Sequence, residues 1–317
     1  MQKKVLIFGI SGQDGSYLAK FLLSKKYKVY GTSRSKNNVS NLKKLKINNL
    51  LKIYKINSKN FIEVKNIINK LKPNEIYYFS GVSSIAEANK NPKLTFESIT
   101  IGTINILESV KHNKKKVRVF FAGSTECFGN LKKNQKYFNE NSHFNPENIY
   151  AYAKTSSFNI VTKYREVDGI FCCTGILSNH ESPLRSNKYI SKKIIEGARK
   201  ISNCKAQNLT LGNINISRDW GWAPEYVEVM WKILQQNQLD DYIIASGKTT
   251  SLIDFINIVF KKFNLDWKKH IKFSKNLKRK SDIKFTKFNV SKIQKKLKWK
   301  TKYNINKIID LMIKNEY

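Results

Sequence analysis

The chain has 317 residues, of which 41% are hydrophobic and 26% charged, a composition that predicts a folded globular protein and excludes a disordered one. The formal net charge is +36, but all except seven of the 59 basic residues are lysines spread along the whole chain, and no nucleic-acid-binding motif accompanies them. We therefore expect a lysine-rich surface without a specific nucleic-acid partner, and no membrane segment, because no apolar run approaches the roughly 20 residues that a span needs.

Short apolar runs alternate with amphipathic stretches through the first half of the chain. The predicted strands are 4–10, 27–32, 51–56, 75–79, 117–122 and 169–177, and the predicted helices are 15–25, 62–71, 92–111 and 150–165. This alternation predicts an α/β fold, a doubly wound parallel sheet with helices on both faces. We expect residues 1–177, with returning segments at about 209–247, to form one domain, and residues 178–317 to form mainly a smaller mixed domain that binds substrate.

A glycine triplet follows the first predicted strand and precedes the first helix. Glycines at this position let the backbone approach a pyrophosphate, which then lies at the positive end of the helix. The triplet therefore predicts a dinucleotide site of the Rossmann type. Its candidate cofactor-binding residues are Gly9, Ser11, Gly12, Gln13 and Asp14.

The end of the second strand bears on the choice of cofactor. NAD enzymes usually have an Asp or Glu here to bind the ribose hydroxyls, and the sequence has neither between Tyr30 and Lys36. Arg34 offers a planar cation that suits a 2′-phosphate. A solvated surface arginine is the alternative interpretation, but we predict NADP.

Tyr150 and Lys154 are four residues apart, so they share a face of the predicted helix. We expect the lysine ammonium to lower the pKa of the Tyr150 phenol and make it a general base. Tyr152 is an alternative base, although its spacing from Lys154 directs it off that face. A half-buried aromatic residue and a surface lysine are the competing structural interpretation.

Two further candidates follow the strand predicted at 117–122. Ser124 can hydrogen-bond a reacting hydroxyl, and Glu126 can exchange protons with a substrate. The carboxyl ends of parallel strands are where open sheets collect catalytic residues. We therefore predict that Ser124, Glu126, Tyr150 and Lys154 form one catalytic set.

These motifs resemble those of the GDP-mannose 4,6-dehydratases, a family of the extended short-chain dehydrogenase/reductase type. The similar segments are GISGQDGSY (9–17), NHESP (179–183), RDWG (218–221), YVE (226–228), MW (230–231) and YIIASG (242–247), and the resemblance extends to about Trp299. The sequence departs from the family pattern at Asn57, at Leu184 and in the loop 35–42. The sugar is therefore left open between mannose, a manno-heptose and another hexose.

The resemblance implies roles for individual residues. Ser124 has the Ser/Thr position, Glu126 the acid/base position, and Tyr150 with Lys154 the base pair. The implied cofactor contacts are Lys154, His180 and Arg185, and Asn57, Ser58 and Ser83 complete the candidate cofactor set. The implied sugar-nucleotide contacts are Asn179, Lys193, Arg218 and Arg279. Arg118, Arg165 and Arg199 have no such role and are interpreted as surface residues.

The predicted function is an NADP-dependent 4,6-dehydratase acting on a GDP-sugar. Oxidation at C4 makes the C5 hydrogen acidic, Glu126 removes that proton, water leaves from C6, and the hydride returns to C6. A sugar-nucleotide epimerase or reductase is the alternative enzyme, and a nucleotide- or polyanion-binding protein is the non-enzymatic alternative. We also predict a cytoplasmic homo-oligomer, dimer or tetramer, without a metal, since the four cysteines form no ligand pattern.

Overall fold

The computed structural model describes residues 2–35, 37, 39–111, 116–277 and 282–316. The strands are β1 (Lys4–Phe8), β2 (Lys28–Ser33), β3 (Lys52–Lys55), β4 (Glu75–Tyr78), β5 (Arg118–Ser124), β6 (Cys172–Leu177), β7 (Asn179–Glu181), β8 (Leu209–Leu211), β9 (Ser217–Trp222), β10 (Tyr242–Ile244), β11 (Thr249–Ser251) and β12 (Ile271–Phe273). Seven of them form a parallel sheet in the order β10-β6-β5-β4-β1-β2-β3. From β1 the sheet extends to β2 and β3 on one side and to β4, β5 and β6 on the other, so the strand order reverses between β1 and β4. Ligands of doubly wound sheets bind at such a point.

The helices cover both faces of this sheet and extend into the second half of the chain. They are α1 (Gln13–Ser24), α2 (Ser40–Lys44), α3 (Phe61–Leu71), α4 (Ile85–Lys90), α5 (Pro92–Phe96), α6 (Gly102–Lys111), α7 (Ile149–Glu166), α8 (Ile190–Ser202), α9 (Ala223–Leu234), α10 (Leu252–Lys261), α11 (Trp267–His270), α12 (Ser291–Leu297) and α13 (Ile305–Lys314). Every strand and helix predicted in the first half is present. The strand expected from residue 169 begins only at Cys172.

Alternating side chains of the sheet pack on opposite faces. On β1, Val5 and Ile7 belong to the core that contains residues of α1 and α9, while Leu6 and Phe8 belong to the core that contains residues of α3, α6 and α7. This two-residue period is the geometry of an extended strand. A sheet buried on both faces explains why its strands read as continuous apolar runs.

The helix predicted over 92–111 contains a π-helical turn at Glu97–Ile101. The hydroxyl of Tyr78 on β4 hydrogen-bonds the carbonyl oxygen of Ser98. A Cβ at Gly102 would lie 1.8 Å from that hydroxyl, so only glycine fits there. A side chain inserted into the helical hydrogen-bond ladder accounts for the widened turn.

A second lobe is formed by the three-stranded sheet β11-β9-β7 and the pair β12-β8, with α8, α10 and α13. Trp220 and Phe255, with ring centroids 5.2 Å apart, lie in its core. The chain returns to the first lobe in β10, which pairs with β6, and in α9, which packs against α1. The proposed domain boundary near residue 178 stays a prediction.

Two arginines interpreted as surface residues instead join the returning segments to the sheet. Arg165 donates from both terminal nitrogens to the Asp241 carboxylate, at 2.9 and 2.7 Å. Arg118 donates to the carbonyl oxygens of Leu234 and Gln236 at the end of α9. Arg165 binds both carboxylate oxygens with the two ends of its planar fork, a geometry that a lysine ammonium does not offer.

Within the described ranges, no helix is both long and apolar enough to cross a membrane. In the same part of the chain, no group of three His, Cys, Asp or Glu side chains is arranged to hold a metal ion. Cys127, Cys172 and Cys173 are buried free thiols, and Cys204 is an exposed one.

Candidate active site

The glycine-rich loop lies between β1 and α1 and is open enough for a pyrophosphate. Gly9 has a φ of +82°, which favours glycine, and a Cβ at Gly15 would lie 2.4 Å from the Gly9 carbonyl oxygen. Backbone amides at the start of α1 have no partners within the helix and can bind phosphate oxygens. The loop therefore fits the dinucleotide that the sequence predicts.

The candidate residues for the adenosine half lie beyond β2 and β3. Arg34 and Asn57 are exposed, and the hydroxyls of Ser11 and Ser33 are 3.3 Å apart. Ser58 is buried and accepts a hydrogen bond from the Tyr78 hydroxyl at 3.3 Å. Ser58 is therefore part of the packing beneath the candidate site. Arg34 is exposed, as a contact with a 2′-phosphate requires.

The four predicted catalytic residues come together at the carboxyl end of β5. Ser124 ends that strand, and its hydroxyl accepts a hydrogen bond from the Glu126 amide at 3.2 Å. Tyr150 lies in the first turn of α7, and the Lys154 ammonium of the same helix donates to the Ala122 carbonyl oxygen of β5 at 2.6 Å. The Lys154 ammonium lies 5.7 Å from the centre of the Tyr150 ring. The side chains at 124, 126, 150 and 154 thus share one site.

The expected lowering of the Tyr150 pKa is not found. Burial raises this pKa well above 10, Tyr189 adds to the increase, and the hydrogen bond from Ser124 opposes it. The Lys154 ammonium donates to the Ala122 carbonyl oxygen at 2.6 Å, and burial lowers its own pKa to about 8. Tyr150 is consequently a protonated phenol near neutral pH in this structure.

Asn148 supports both elements of the candidate catalytic site and was missed by the sequence analysis. Its side-chain oxygen caps α7 by accepting from the Ala151 amide at 2.9 Å. Its nitrogen donates to Glu126 at 3.4 Å. An asparagine two residues before the tyrosine of a YxxxK helix is the signal that predicts such a cap.

His180, which is buried, and Asp14, which is partly exposed, form an ion pair between the glycine-rich loop and β7. The His180 Nε2 atom is 2.9 Å from Asp14 Oδ1, and its Nδ1 atom is 2.7 Å from the Ser178 carbonyl oxygen. Both partners are acceptors, so both ring nitrogens carry hydrogen and the ring is charged. The ring also stacks on Tyr226, with centroids 4.9 Å apart.

The pKa values of the pair agree with this charge state. Burial alone would lower the pKa of His180, but the Asp14 charge and hydrogen bond raise it above 6.5. Burial alone would raise the pKa of Asp14, but the His180 charge and hydrogen bond hold it below 3.8. These two predicted cofactor residues bind each other, and their contact with a cofactor stays a prediction.

Gln13 adds a second link between the same segments. Its amide nitrogen donates to the His180 carbonyl oxygen at 3.1 Å, and its amide oxygen accepts from the Ser182 hydroxyl at 2.8 Å. The QD pair of the loop therefore binds the NHES segment directly, a relation between two motifs that spacing along the chain did not predict.

Arg185, Ser83 and a residue missed by the sequence analysis, Tyr189, lie together. The Arg185 guanidinium is 3.2 Å from the buried Glu181 carboxylate and 3.6 Å from the centre of the Tyr189 ring. The Tyr189 hydroxyl contacts the carbonyl oxygen and the hydroxyl of Ser83. No motif in the sequence marks Tyr189.

Three of the four candidate sugar-nucleotide residues lie on the second lobe. Asn179 begins β7, and Lys193 on α8 donates to the Thr210 carbonyl oxygen at 2.8 Å. Arg218 on β9 is buried, with its guanidinium 3.4 Å from Asp282. Arg279 lies outside the described residues.

Comparison with known proteins connects nearly the whole chain to one family. Residues 6–312 match the family model described as GDP-mannose 4,6 dehydratase. GDP-mannose 4,6 dehydratase 1 of Arabidopsis thaliana is 33% identical over 325 residues, covering 98% of this chain and 89% of the relative. GDP-mannose 4,6-dehydratase of Vibrio cholerae is 34% identical over 268 residues, covering 81% of this chain and 71% of the relative.

Solved structures share the fold at lower identity. RMD from Pseudomonas aeruginosa, complexed with NADPH, superposes with a TM-score of 0.83 at 15% identity and covers 99% of this chain and 98% of its own. dTDP-glucose 4,6-dehydratase from Bacillus anthracis, in complex with NAD, has a TM-score of 0.85 at 18% identity, with 99% and 97% covered. The predicted Rossmann-type fold is therefore confirmed.

Proposed function

The chain belongs to the GDP-mannose 4,6-dehydratase family, and we propose that it converts GDP-mannose, or a related GDP-linked manno-sugar, to the 4-keto-6-deoxy form. The observation that carries this proposal is the meeting of Ser124, Glu126 and Tyr150 at the end of β5. Simple oxidation or 4-epimerisation needs no acid–base group for C5, so Glu126 favours dehydration over the epimerase and reductase alternatives.

We propose NADP as the cofactor, held by the glycine-rich loop and by Arg34. When bound, it supplies the chemistry of accepting a hydride from C4 of the sugar and returning it at C6. The support for NADP over NAD is the exposed Arg34 guanidinium, which suits a 2′-phosphate, together with the absence of an acidic residue at 30–36 of the sequence.

The residues of the chain move the protons. Tyr150, in the first turn of α7, first releases its phenol proton to the solvent, and the resulting phenolate takes the proton of the sugar 4-hydroxyl as C4 becomes a ketone. The ketone acidifies the C5 hydrogen, and Glu126 removes it as a proton and passes it to the departing C6 hydroxyl, which leaves as water. Tyr150 returns its proton to C5. Protons and electrons then balance, and the net change is the loss of one water.

Lys154 and Asn148 orient this machinery. The Lys154 ammonium is anchored on the Ala122 carbonyl oxygen and lies over the Tyr150 ring, where its charge favours the phenolate that forms when the tyrosine gives up its proton. Asn148 fixes the start of α7 and contacts the Glu126 carboxylate, so the two proton-transfer groups keep their relative position.

The experiment that tests this function is incubation of the purified protein with GDP-mannose, other GDP-sugars and UDP-sugars, followed by mass spectrometry. We expect one GDP-sugar to lose a water molecule without net consumption of the cofactor. A change of configuration without loss of mass would indicate an epimerase, and gain of two hydrogens with oxidation of NADPH a reductase. Binding of sugar nucleotides without any product would indicate a non-catalytic protein.

We also propose that the protein acts as a homo-oligomer, a dimer or tetramer, in the cytoplasm. Ile101, at the end of the π turn before α6, and Tyr152, on α7, are exposed by 42% and 52%, and apolar surface of this kind suits burial against a second copy. The four free cysteines fit a reducing compartment. Light scattering of the purified protein measures the oligomeric state directly.

A further inference from the structure

Tyr189 links the second lobe to the edge of the sheet that carries the catalytic residues. It lies immediately before α8, in extended backbone with φ −92° and ψ 142°. Its hydroxyl is 2.8 Å from the carbonyl oxygen of Ser83 and 2.9 Å from the Ser83 hydroxyl. Ser83 follows β4, and β4 is the neighbour of β5 in the sheet. The tyrosine therefore crosses from one lobe to the other beside the catalytic site.

The ring of Tyr189 is held in place by charged groups of its own lobe. The Arg185 guanidinium stacks on it at 3.6 Å, and a cation over an aromatic face is attractive. Arg185 is in turn held by Glu181, which is buried and also accepts a hydrogen bond from Ser191 at 2.6 Å. The phenol is thus fixed before any substrate arrives.

The hydrogen bonds to Ser83 leave the Tyr189 oxygen able to accept another. A carbonyl oxygen can only accept, so the Tyr189 hydrogen points to the carbonyl of Ser83, and the Ser83 hydroxyl can donate back. A phenolic oxygen in this arrangement retains acceptor capacity for one further donor. Hexose hydroxyls are donors of this kind.

Tyr189 and Tyr150 lie at the same edge of the sheet. Tyr189 contacts Ser83, which follows β4, and Tyr150 begins the helix beside the end of β5, the parallel neighbour of β4. The loop 79–80 that leads toward Ser83 also lies against the glycine-rich loop, since a Cβ at Gly9 would be 3.0 Å from the backbone of Phe79 and Ser80. Ser83 and Tyr189 thus border the space between the cofactor loop and the catalytic tyrosine.

We propose that Tyr189 is a hexose-positioning residue, whose phenol closes the sugar pocket beside Tyr150 and accepts a hydrogen bond from the sugar. The inference rests on the proposed function for the identity of the ligand. The competing role is a brace that fixes the distance between the lobes without touching the hexose. The two roles predict different effects on the affinity for GDP, which lacks the hexose. Loss of a brace would weaken GDP binding as well, whereas loss of a contact with the hexose would not.

The test is Tyr189→Phe, which keeps the ring and its stacking on Arg185 and removes only the hydroxyl. We expect affinity for GDP-mannose to fall roughly three- to tenfold, the loss of one hydrogen bond, with affinities for GDP and NADP unchanged. Calorimetry measures all three without turnover. Tyr137→Phe, an exposed tyrosine far along the chain from these elements, is the control and should leave all three affinities unchanged.

Equal weakening of GDP and GDP-mannose by Tyr189→Phe would overturn the proposal in favour of the brace, and unchanged affinity for both would overturn it outright. The thermal midpoint of the variant is measured alongside, and we expect it to stay within a few degrees of wild type. Failure of the dehydratase assignment is seen separately, as absence of water loss in the wild-type turnover assay.

Discussion

Asp14 and His180, 166 residues apart in the chain, meet at 2.9 Å in an ion pair whose histidine is buried. The pair joins the start of α1 to β7, and through β7 to Asn179, a candidate substrate residue. Two opposite charges therefore fix the position of the predicted cofactor loop relative to the strand predicted to bind the sugar nucleotide. Breaking a buried pair leaves an uncompensated charge, which costs far more than breaking a surface pair.

Asp14→Asn should destabilise the protein by about 3 kcal/mol near pH 6. The pKa of Asp14 is held below 3.8, so its contribution to the free energy of unfolding is present above that pH and is lost as the pH falls. The pKa of His180 is raised above 6.5. Its contribution to the free energy of unfolding is therefore complete below that pH and is lost as the pH rises through the raised pKa. Urea unfolding should therefore show the largest difference from wild type between about pH 4 and pH 6.5.

The control for this prediction is Asp310→Asn, which removes an exposed pair with Lys262 and should cost less than about 1 kcal/mol at every pH. A difference between wild type and Asp14→Asn that does not shrink at pH 9 would contradict the charged state assigned to His180.

Glu126→Gln should retain cofactor binding and lose product formation by roughly 10²–10⁴-fold, since the amide cannot take the C5 proton. Oxidation at C4 does not need Glu126, so reduced cofactor should accumulate in this variant when enzyme and substrate are mixed in equal amounts. Absorbance of the nicotinamide measures it. Glu228→Gln, which removes a surface pair with Lys232, is the control, and normal turnover by Glu126→Gln would exclude the assigned role.

Tyr150→Phe should block the reaction one step earlier, with no reduced cofactor and a loss of roughly 10²–10⁴-fold in turnover. Tyr152→Phe is its control, because that side chain is 52% exposed on the same helix, and its activity should equal that of wild type. If Tyr152→Phe were instead the inactive variant, the base would have to be reassigned.

Arg34→Asp should weaken NADP binding by roughly 10–100-fold, the range expected for lost hydrogen bonds to a charged group, while NAD binding changes little. Fluorescence titration of both cofactors gives the comparison. Arg34→Lys keeps the charge without the planar fork and should have an intermediate effect. An equal loss of affinity for NAD and NADP would refute the contact with the 2′-phosphate.

The first lobe was predictable because each of its signals is local. Apolar runs gave β1 and β5, glycine spacing gave the loop, and a four-residue interval put Tyr150 and Lys154 on one face of α7. The residues of the predicted catalytic set converge because the ends of parallel strands and the helices that follow them share an edge of the sheet. A sequence pattern predicts structure correctly when residues that are neighbours in the chain are also neighbours in space.

The rest depends on contacts between distant segments. The bond of Tyr78 to Ser98 widens a helix that its own sequence predicts as regular. Arg165 has a structural role because it binds Asp241, which lies 76 residues later on the segment that returns to the sheet. The pKa of Tyr150 is governed first by burial and then by Tyr189, which comes from the second lobe. None of these can be read from spacing along the chain.

The outermost strand on the catalytic side of the sheet, β10, is translated only after β7, β8 and β9 of the second lobe. Until it emerges from the ribosome, β6 has an open edge and Arg165 has no carboxylate to bind. A truncated chain ending near residue 178 would therefore expose a pairing edge that recruits other chains. We therefore expect the two halves of the chain, expressed separately, to aggregate.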